Sequence, residues 1–234
     1  MVPERAILSG VPGVKRVVDC FGAALGLIVL APLFLLVASA VWLTMGRPVL
    51  FTQRRPGRYG QPFTIYKFRT MVPPEVGEVW FRSDQRRLTV LGRWLRRTSL
   101  DELPELWNVL RGDMSLVGPR PLLMEYLDKY TTDEQRRHTV LPGITGWAQV
   151  NGRQAIAFSQ RLQLDLWYVD HWSLALDLKI LLKTISLATL GRGVVPGQPL
   201  DDVDDLGLSA DRNRRSSHGA GATRQPHSHH TGPE

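Results

Sequence analysis

The chain has 234 residues but only one cysteine, Cys20, so no disulfide can form within it. It contains a single long apolar run and no internal repeat. This length is enough for one domain with a sizeable core, together with a membrane element and a tail. Because Cys20 lies inside the apolar run, we interpret it as a small apolar residue and expect the rest of the chain to be cytoplasmic.

Acidic residues are the minority charge. The chain has 22 Asp and Glu against 29 Lys and Arg, which gives a formal net charge of +7 and a pI near 10.0. This excess favours anionic partners, and nucleic acid, anionic lipid headgroups and nucleotide-like substrates all qualify. No recognised nucleic-acid-binding motif is present and the basic residues cluster near the apolar run, so we expect no nucleic-acid partner.

The apolar run covers residues 17–45, and its only charge is Asp19. Hydropathy of this length predicts a membrane segment, which follows a flexible N-terminus over residues 1–14. The tripeptide ASA at 38–40 resembles a signal-peptide cleavage site. The run is longer than the apolar region of an ordinary signal peptide, so the membrane segment is the preferred interpretation.

Pro32 lies near the middle of the run, where a proline removes a backbone hydrogen bond and bends or breaks a helix. A tilted span, a hairpin that enters and leaves on one face, and a buried core helix are all compatible with this pattern. Positive charge on both sides of the run favours a re-entrant hairpin over residues 15–47, with both ends in the cytoplasm. The flanking cations are Lys15, Arg16, Arg47, Arg54, Arg55 and Arg58.

We predict a mixed α/β fold that is mainly helical, with amphipathic interface helices and a small β element. Alternating aromatic and polar residues predict a β-hairpin within 49–71, followed by a loop over 71–84. Residues 86–97 predict a basic amphipathic helix suited to an anionic phospholipid membrane. Residues 191–234 are rich in Gly, Pro, Ser and Asp and predict a disordered tail. Further helices are expected near 102–110, 122–130 and 160–190, the last of which carries Trp167, Tyr168 and Trp172 as interface residues.

The segment 99–104, SLDELP, places two adjacent carboxylates, Asp101 and Glu102, among basic residues. An enzyme that attacks a phosphate through an Asp, while cations hold the phosphate oxygens, needs this layout. Carboxylate oxygens are also natural ligands of Mg²⁺. Ser99 and Glu102 alternatively fit a capping box, in which Glu102 only closes a helix N-terminus. Either register puts Asp101 in a first helical turn, where the helix dipole favours a carboxylate and attracts phosphate.

Arginines surround this segment, and one of them stands out. Arg120 lies between two prolines, which restrict the backbone and suit a bidentate phosphate clamp, although a structural ion pair is the alternative. For the other arginines near the segment, a solvated basic face is the alternative to phosphate binding. Two further cations alternate with aromatic residues on the predicted strand. The candidate phosphate or substrate contacts are Arg120, Arg96, Arg97, Arg111, Lys67 and Arg69.

Several longer motifs occur in an order that resembles the bacterial sugar transferase family. Its members are monotopic polyprenyl-phosphate phosphoglycosyl transferases, which begin many surface-glycan pathways. The resemblance covers roughly residues 15–189, and motifs of this length are far more specific than any isolated short motif. They are KRVVD at 15–19, YKFRTM at 66–71, SLDELPELWNVLRGDMSLVGPRP at 99–121, PGITGWAQVNGR at 142–153 and LDLKIL at 176–181.

The resemblance implies a ping-pong transfer of sugar-1-phosphate from a UDP-sugar to undecaprenyl phosphate, with UMP as the leaving product. Asp101 matches the family's nucleophile, which forms a covalent phosphosugar intermediate. Glu102 matches its partner, a metal helper or proton acceptor, and Mg²⁺ would be held by these two carboxylates. Arg120 matches the family's phosphate site. Asp177 in the LDLKIL motif is a weaker substrate-site match, since it could instead cap its helix or pair with Lys179.

The resemblance also implies a location and a domain order. Residues 48–190 would form the catalytic domain on the cytoplasmic face of the bacterial inner membrane. The family's hairpin often breaks at Ser-Pro, whereas this chain has Ala31-Pro32 and lacks the hydroxyl that could satisfy a freed carbonyl. Hexose and N-acetylated amino-sugar donors are both compatible with the sequence. The sequence contains no pattern that indicates a particular oligomeric state.

A rival function belongs to another class. A non-catalytic protein that recruits partners to anionic lipid would explain the positive charge and the apolar run. It would give no reason for Asp101 and Glu102 beside a rigid Arg120. It predicts that Asp101→Asn has no effect.

Overall fold

Helices dominate the fold, and two small sheets complete it. The computed structural model describes residues 13–73, 84–152, 156–190 and 204–206. Within them the mixed, mainly helical α/β class predicted from the sequence is confirmed. The α-helices are α1 Gly13–Val29, α2 Ala31–Met45, α3 Asp84–Arg87, α4 Val90–Thr98, α5 Glu105–Arg111, α6 Thr132–Gln135, α7 Trp147–Val150, α8 Phe158–His171 and α9 Leu174–Leu190. The strands are β1 Leu50–Pro56, β2 Pro62–Phe68, β3 Ser115–Val117 and β4 Gly143–Thr145. Short 3-10 helices cover Arg58–Gly60, Leu100–Glu102, Met124–Lys129 and Arg136–His138.

The apolar run forms the helix pair α1 and α2, which meet at a bend of 64°. Pro32 falls in the first turn of α2, where its missing N–H leaves no helical hydrogen bond unmade. Leu30 continues the hydrogen bonding on both sides of the bend, to Gly26 and from Phe34. By length and composition, no single helix among the described residues could cross a membrane, whereas the bent pair could do so together.

One side of this helix pair packs on the domain and the other side is exposed. Ala23 of α1 joins a cluster with Val109 of α5, while Val37 of α2 joins another with Leu95 of α4. The opposite faces carry apolar side chains that are half to three-quarters exposed, which excludes the buried-core interpretation of the run. The exposed set includes Val17, Phe21, Leu25, Ile28, Leu35, Leu36, Trp42 and Leu43.

The start of α1 is fixed to the domain by a group of buried polar side chains, which we call the anchor cluster. Lys15 Nζ lies 2.5 Å from Asp177 Oδ2 on α9 and 3.9 Å from Asp19 Oδ1. Asp177 also accepts hydrogen bonds from Tyr168 Oη at 2.7 Å and Trp172 Nε1 at 3.1 Å. The cluster therefore ties both ends of the described chain to one place.

The predicted β-hairpin is confirmed. Strands β1 and β2 pair antiparallel, from Leu50 opposite Phe68 to Pro56 opposite Pro62, with the 3-10 helix at their tip. Phe68, at the end of β2, is buried in a cluster with Val37 of α2 and Leu95 of α4.

A second sheet was not predicted. Strands β3 and β4 pair in parallel, with Ser115 opposite Gly143. Gly118 lies against this pair so closely that a Cβ on Gly143 would sit 2.0 Å from the Gly118 nitrogen. Glycine is therefore required where the two backbones meet.

Three predicted details are wrong. The helix expected over 86–97 is broken, because Leu88 pairs with Met71 as a β-bridge and α4 begins afresh at Val90, capped by the Thr89 side chain. The helix expected over 122–130 is a 3-10 helix at Met124–Lys129. Tyr168, expected at an interface, is buried in the anchor cluster.

Several predictions concern residues whose structure is not described. They are the N-terminus before Gly13, residues 74–83 of the expected loop, and the tail from 191 onward apart from 204–206. Within the tail, Asp205 accepts a hydrogen bond from the backbone nitrogen of Ser159 at the start of α8.

Candidate active site

Asp101 lies in a tight turn between two helices. Ser99 ends α4 in the left-handed conformation, with φ of 58°, and a 3-10 helix follows over Leu100–Glu102. Ser99 makes no side-chain cap, so the capping-box interpretation is wrong. Asp101 lies in the first turn of this 3-10 helix, as predicted, but the α-helix begins only at Glu105, after Pro104.

Five charged side chains meet at this turn, and we call them the carboxylate cluster: Lys67, Asp101, Glu102, Glu105 and Arg120. Glu102 Oε1 lies 2.6 Å from Lys67 Nζ and 2.5 Å from Arg120 Nη2. Lys67 Nζ also lies 2.9 Å from Glu105 Oε1. Asp101 is 8% exposed, whereas the Arg120 side chain is 40% exposed. The cluster is thus buried at the carboxylates and open at the arginine.

The short helix α5 packs on strand β2 and brings the members of the carboxylate cluster together. Asn108 of α5 is fully buried, and its amide nitrogen donates to Thr64 O of β2 at 2.7 Å. Its amide oxygen accepts from the backbone nitrogen of Tyr66 at 3.2 Å. These bonds fix α5, which begins at Glu105, beside the strand that carries Lys67.

The environment separates the pKa values of the three carboxyl groups. Burial and the charge of Glu102 raise the pKa of Asp101 to about 6. Burial opposes ionisation of Glu102, but Arg120 and Lys67 outweigh it and lower the pKa of Glu102 far below its usual range. Burial raises the pKa of Glu105 to about 7, against the opposing charge of Lys67. The environment therefore favours the ionised form of Glu102 more strongly than that of Asp101 or Glu105.

Glu105 is a site residue that the sequence reasoning missed. Its signal was present, because DELPE places a third acidic residue three positions after Glu102. With Pro104 inside this spacing, the pattern does not show that both side chains turn toward the same lysine.

The other predicted site residues divide into near and distant groups. Arg96 Nε donates to Thr70 Oγ1 at 3.1 Å, and its charge lowers the pKa of Asp101, against burial and Glu102, which raise it. Arg97 is exposed on the last turn of α4. Arg111 is half exposed and pairs with Asp113 at 3.3 Å, so it points away from the cluster's ion pairs.

Two predicted residues hold the fold instead of joining the cluster's ion pairs. Arg69 is buried and donates to the carbonyls of Met45, Gly46 and Arg47, where α2 ends. Asp177 belongs to the anchor cluster, and its expected alternative partner Lys179 lies over the ring of Trp147 instead.

The donor set of Asp101 and Glu102 suits a hard cation. The described residues contain no group of three or more His, Cys, Asp or Glu side chains placed to hold a metal ion. Mg²⁺ commonly uses one or two carboxylates and takes its remaining ligands from water and substrate phosphates. Two neighbouring carboxylates, Asp101 and Glu102, therefore fit this ion.

Known proteins are similar in sequence over most of the chain. The family described as Bacterial sugar transferase matches residues 11–191. The "Uncharacterized sugar transferase EpsL" of Bacillus subtilis is 51% identical over 77% of this chain and 89% of its own length. The "Exopolysaccharide production protein ExoY" of Sinorhizobium fredii is 40% identical over 81% of this chain and 92% of its own.

A longer relative has an explicit activity in its name. The "UDP-glucose:undecaprenyl-phosphate glucose-1-phosphate transferase" of Escherichia coli is 41% identical over 76% of this chain but only 41% of its own length. The match to the family runs from the start of the apolar helix pair, through the carboxylate cluster, to the end of α9. The chain therefore belongs to the bacterial sugar transferase family, and it is a phosphoglycosyl transferase.

Proposed function

We propose that this enzyme transfers a sugar-1-phosphate from a UDP-sugar to undecaprenyl phosphate through a covalent intermediate on Asp101. The products are undecaprenyl-diphospho-sugar and UMP, and the reaction would begin the synthesis of an exopolysaccharide. The observation that carries the proposal is the carboxylate cluster, in which a buried carboxylate adjoins an ion pair that opens toward solvent through Arg120. The names of the relatives agree with this chemistry.

In the first step an Asp101 oxygen attacks the phosphorus that bears the sugar. The bond from that phosphorus to the oxygen bridging the two phosphates breaks, and UMP leaves with both bonding electrons. An ionised carboxylate is needed, and the pKa of Asp101 near 6 provides it at neutral pH while burial limits its hydration. Arg120, fixed by Glu102, presents its exposed side to the phosphate oxygens.

In the second step a phosphate oxygen of undecaprenyl phosphate attacks the same phosphorus. The bond to Asp101 breaks, the carboxylate is restored, and the diphosphate product forms. One nucleophile can in this way serve a water-soluble donor and a lipid acceptor in turn. The very low pKa of Glu102 favours a role as a fixed charge that orients Lys67 and Arg120, in preference to a role as proton acceptor.

Asp101 and Glu102 would hold a Mg²⁺ ion, which would neutralise the charge of the bound diphosphate. Lys67 and Arg120 already supply positive charge on the other side of Glu102. Glu105 forms a second ion pair with Lys67, which holds the lysine in place when substrate is absent.

The apolar helix pair supplies the membrane setting of this proposal. Its exposed faces and the cations at its two ends suit a re-entrant hairpin at the cytoplasmic face of the bacterial inner membrane, with an anionic phospholipid surface as partner. A recruitment protein would use the same faces. It would have no use for three carboxyl groups buried together, which are costly to keep.

The test is lipid-dependent release of UMP by the detergent-solubilised protein with Mg²⁺, undecaprenyl phosphate and UDP-glucose, UDP-galactose or UDP-N-acetylglucosamine. We expect one donor to react and Asp101→Asn to abolish the reaction. Asp128→Asn, which changes an exposed carboxylate outside the carboxylate cluster, should stay active. Incubation with donor alone should add the mass of one sugar phosphate to the peptide containing Asp101. Undiminished UMP release by folded Asp101→Asn would reject the covalent mechanism.

A further inference from the structure

The short segment that carries Arg120 is held by three successive main-chain carbonyls. Each carbonyl accepts a hydrogen bond from a different part of the fold, and two of the three donors are arginine side chains. Prolines on both sides of Arg120 fix their own φ angles in addition. The bonds run from Gly143 N to Pro119 O at 3.0 Å, from Arg137 Nη2 to Arg120 O at 2.7 Å and from Arg55 Nη1 to Pro121 O at 3.3 Å.

Arg137 makes the shortest of these bonds, and its own side chain is fixed by an ion pair with Asp165. Its Nε and Nη2 atoms donate to Asp165 Oδ2 of α8 at 3.1 and 2.6 Å. The side chains of Arg137 and Asp165 are 1% and 3% exposed. One guanidinium thus links a long helix directly to the backbone of Arg120, because its Nη2 atom donates to both the Arg120 carbonyl and Asp165.

The Arg137–Asp165 pair is a poor choice for stability alone. Two buried charges lose their hydration, and apolar side chains of similar volume often serve as well or better. Asp165 Oδ1 is buried and makes no hydrogen bond to any part of the chain that the structure describes. This pair nevertheless provides a hydrogen-bond donor, Arg137 Nη2, to the Arg120 carbonyl, which an apolar pair cannot do.

We infer that Arg137, oriented by Asp165, is a positioning residue for Arg120, and this inference rests on the proposed function for its kinetic consequences. Arg120 Nη2 lies 2.5 Å from Glu102 Oε1, so its remaining donors can meet a phosphate only if the backbone beneath stays in place. A small displacement of a phosphate-binding group is enough to slow transfer strongly.

Arg137→Lys tests this directly. Lysine keeps the charge opposite Asp165, but its side chain is one atom shorter than that of arginine. Its ammonium group therefore falls short of the Nη2 position from which Arg137 reaches both Asp165 and the Arg120 carbonyl. We expect kcat/KM for the UDP-sugar to fall roughly tenfold or more, with KM raised. Should Arg137→Lys fail to fold, Asp165→Asn provides a milder change, because it keeps Arg137 and loosens only its support.

The neighbouring ion pair offers a matched control. Arg136 precedes Arg137 in the chain and pairs with Asp170 of the same helix α8 and with Asp133, and its side chain is a third exposed. Neither partner belongs to the Arg120 segment. Arg136→Lys should therefore keep kcat/KM within about twofold of wild type. An equal loss in both variants would overturn the inference, since the effect would then be a general loosening of α8.

A double-mutant cycle with Arg120→Lys separates positioning from a general structural role. If Arg137 acts through Arg120, adding Arg137→Lys to Arg120→Lys should cause little further loss of kcat/KM. Losses that multiply fully would overturn the inference.

A readout without turnover separates this inference from the proposed function. The rate at which p-hydroxyphenylglyoxal modifies Arg120, followed by peptide mass spectrometry without substrate, should rise in Arg137→Lys and stay unchanged in Arg136→Lys. An unchanged rate in folded Arg137→Lys would overturn the inference. If the rate rises but wild type releases no UMP with any donor, the positioning role stands and the proposed function falls.

Discussion

The carboxylate cluster and the anchor cluster each place one lysine between two carboxylates. Lys15 lies on α1 and Lys67 on β2, and each pairs with a carboxylate on a later helix. Their carboxylates are mostly buried, so the residue types alone do not distinguish the two sites. The distances are 2.6 Å to Glu102 and 2.9 Å to Glu105 for Lys67, and 2.5 Å to Asp177 and 3.9 Å to Asp19 for Lys15.

The two clusters differ in what closes them. In the anchor cluster, Tyr168 and Trp172 donate to Asp177, and the lysine side chain is 8% exposed. The carboxylate cluster has no such aromatic cover among its bonds, and Arg120 leaves it open to solvent. An ion triad closed by protein donors fixes a helix, whereas one left open beside an arginine can accept a substrate phosphate.

The largest expected effect comes from Glu102→Gln. The amide keeps the shape but removes the charge that orients Lys67 and Arg120, so UMP release per folded molecule should fall roughly 100- to 1000-fold. Asp177→Asn makes the same chemical change in the anchor cluster. Its turnover per folded molecule should stay within about twofold of wild type. Equal kinetic losses in both variants would contradict the view that only the carboxylate cluster takes part in the reaction.

The next effect is on stability. Lys15→Met leaves Asp177 and Asp19 buried without their cation, and the free energy of unfolding should fall by about 3 kcal/mol. Chemical denaturation in detergent micelles measures this change. Restoring part of the loss by adding Asp177→Leu would identify the unpaired carboxylate as the cause, and no recovery would place the cause elsewhere.

The smallest effect concerns pH. The pKa of Glu105 is about 7 in the folded chain, against an ordinary value of 4.5, because the carboxyl is buried. Between these values the folded chain holds a proton that the unfolded chain releases, so the free energy of unfolding falls as pH rises. Glu105→Gln should remove about 2 kcal/mol of this dependence, as denaturation at pH 5, 6, 7 and 8 can show. Exposed Glu125→Gln should leave the slope unchanged.

Local chemistry made the centre of the site predictable. Asp101, Glu102 and Arg120 lie within one stretch of sequence, and the prolines around Arg120 signalled a fixed cation. The structure joins Glu102 to Arg120, 18 positions away. The predicted nucleophile and metal roles remain proposals.

Long-range partners explain where the predictions failed. The S-x-x-E pattern at Ser99 fits a cap, but Lys67, 35 positions earlier, competes for the Glu102 side chain and holds it. Asp177 is bound by Lys15, which lies 162 positions away. No local pattern carries this information, and three-residue strands such as Ser115–Val117 are too short for visible alternation.

The cations around the apolar run also have uses that sequence counting does not reveal. Arg16 donates to the carbonyls of Leu110 and Met114, and Arg58 donates to Thr139 O. Charges that helped to favour a re-entrant hairpin thus also serve as clamps on carbonyls. Their positions are set by folding as well as by any membrane.

Strand β2 connects the end of the apolar helix pair to the carboxylate cluster. Arg69, just past its end, holds the three carbonyls where α2 ends, and Lys67, two positions earlier, holds Glu102 and Glu105. Residues two apart on extended chain are separated by about 7 Å. A single pleat of one strand therefore separates the residue that holds the end of α2 from the residue that holds Glu102 and Glu105.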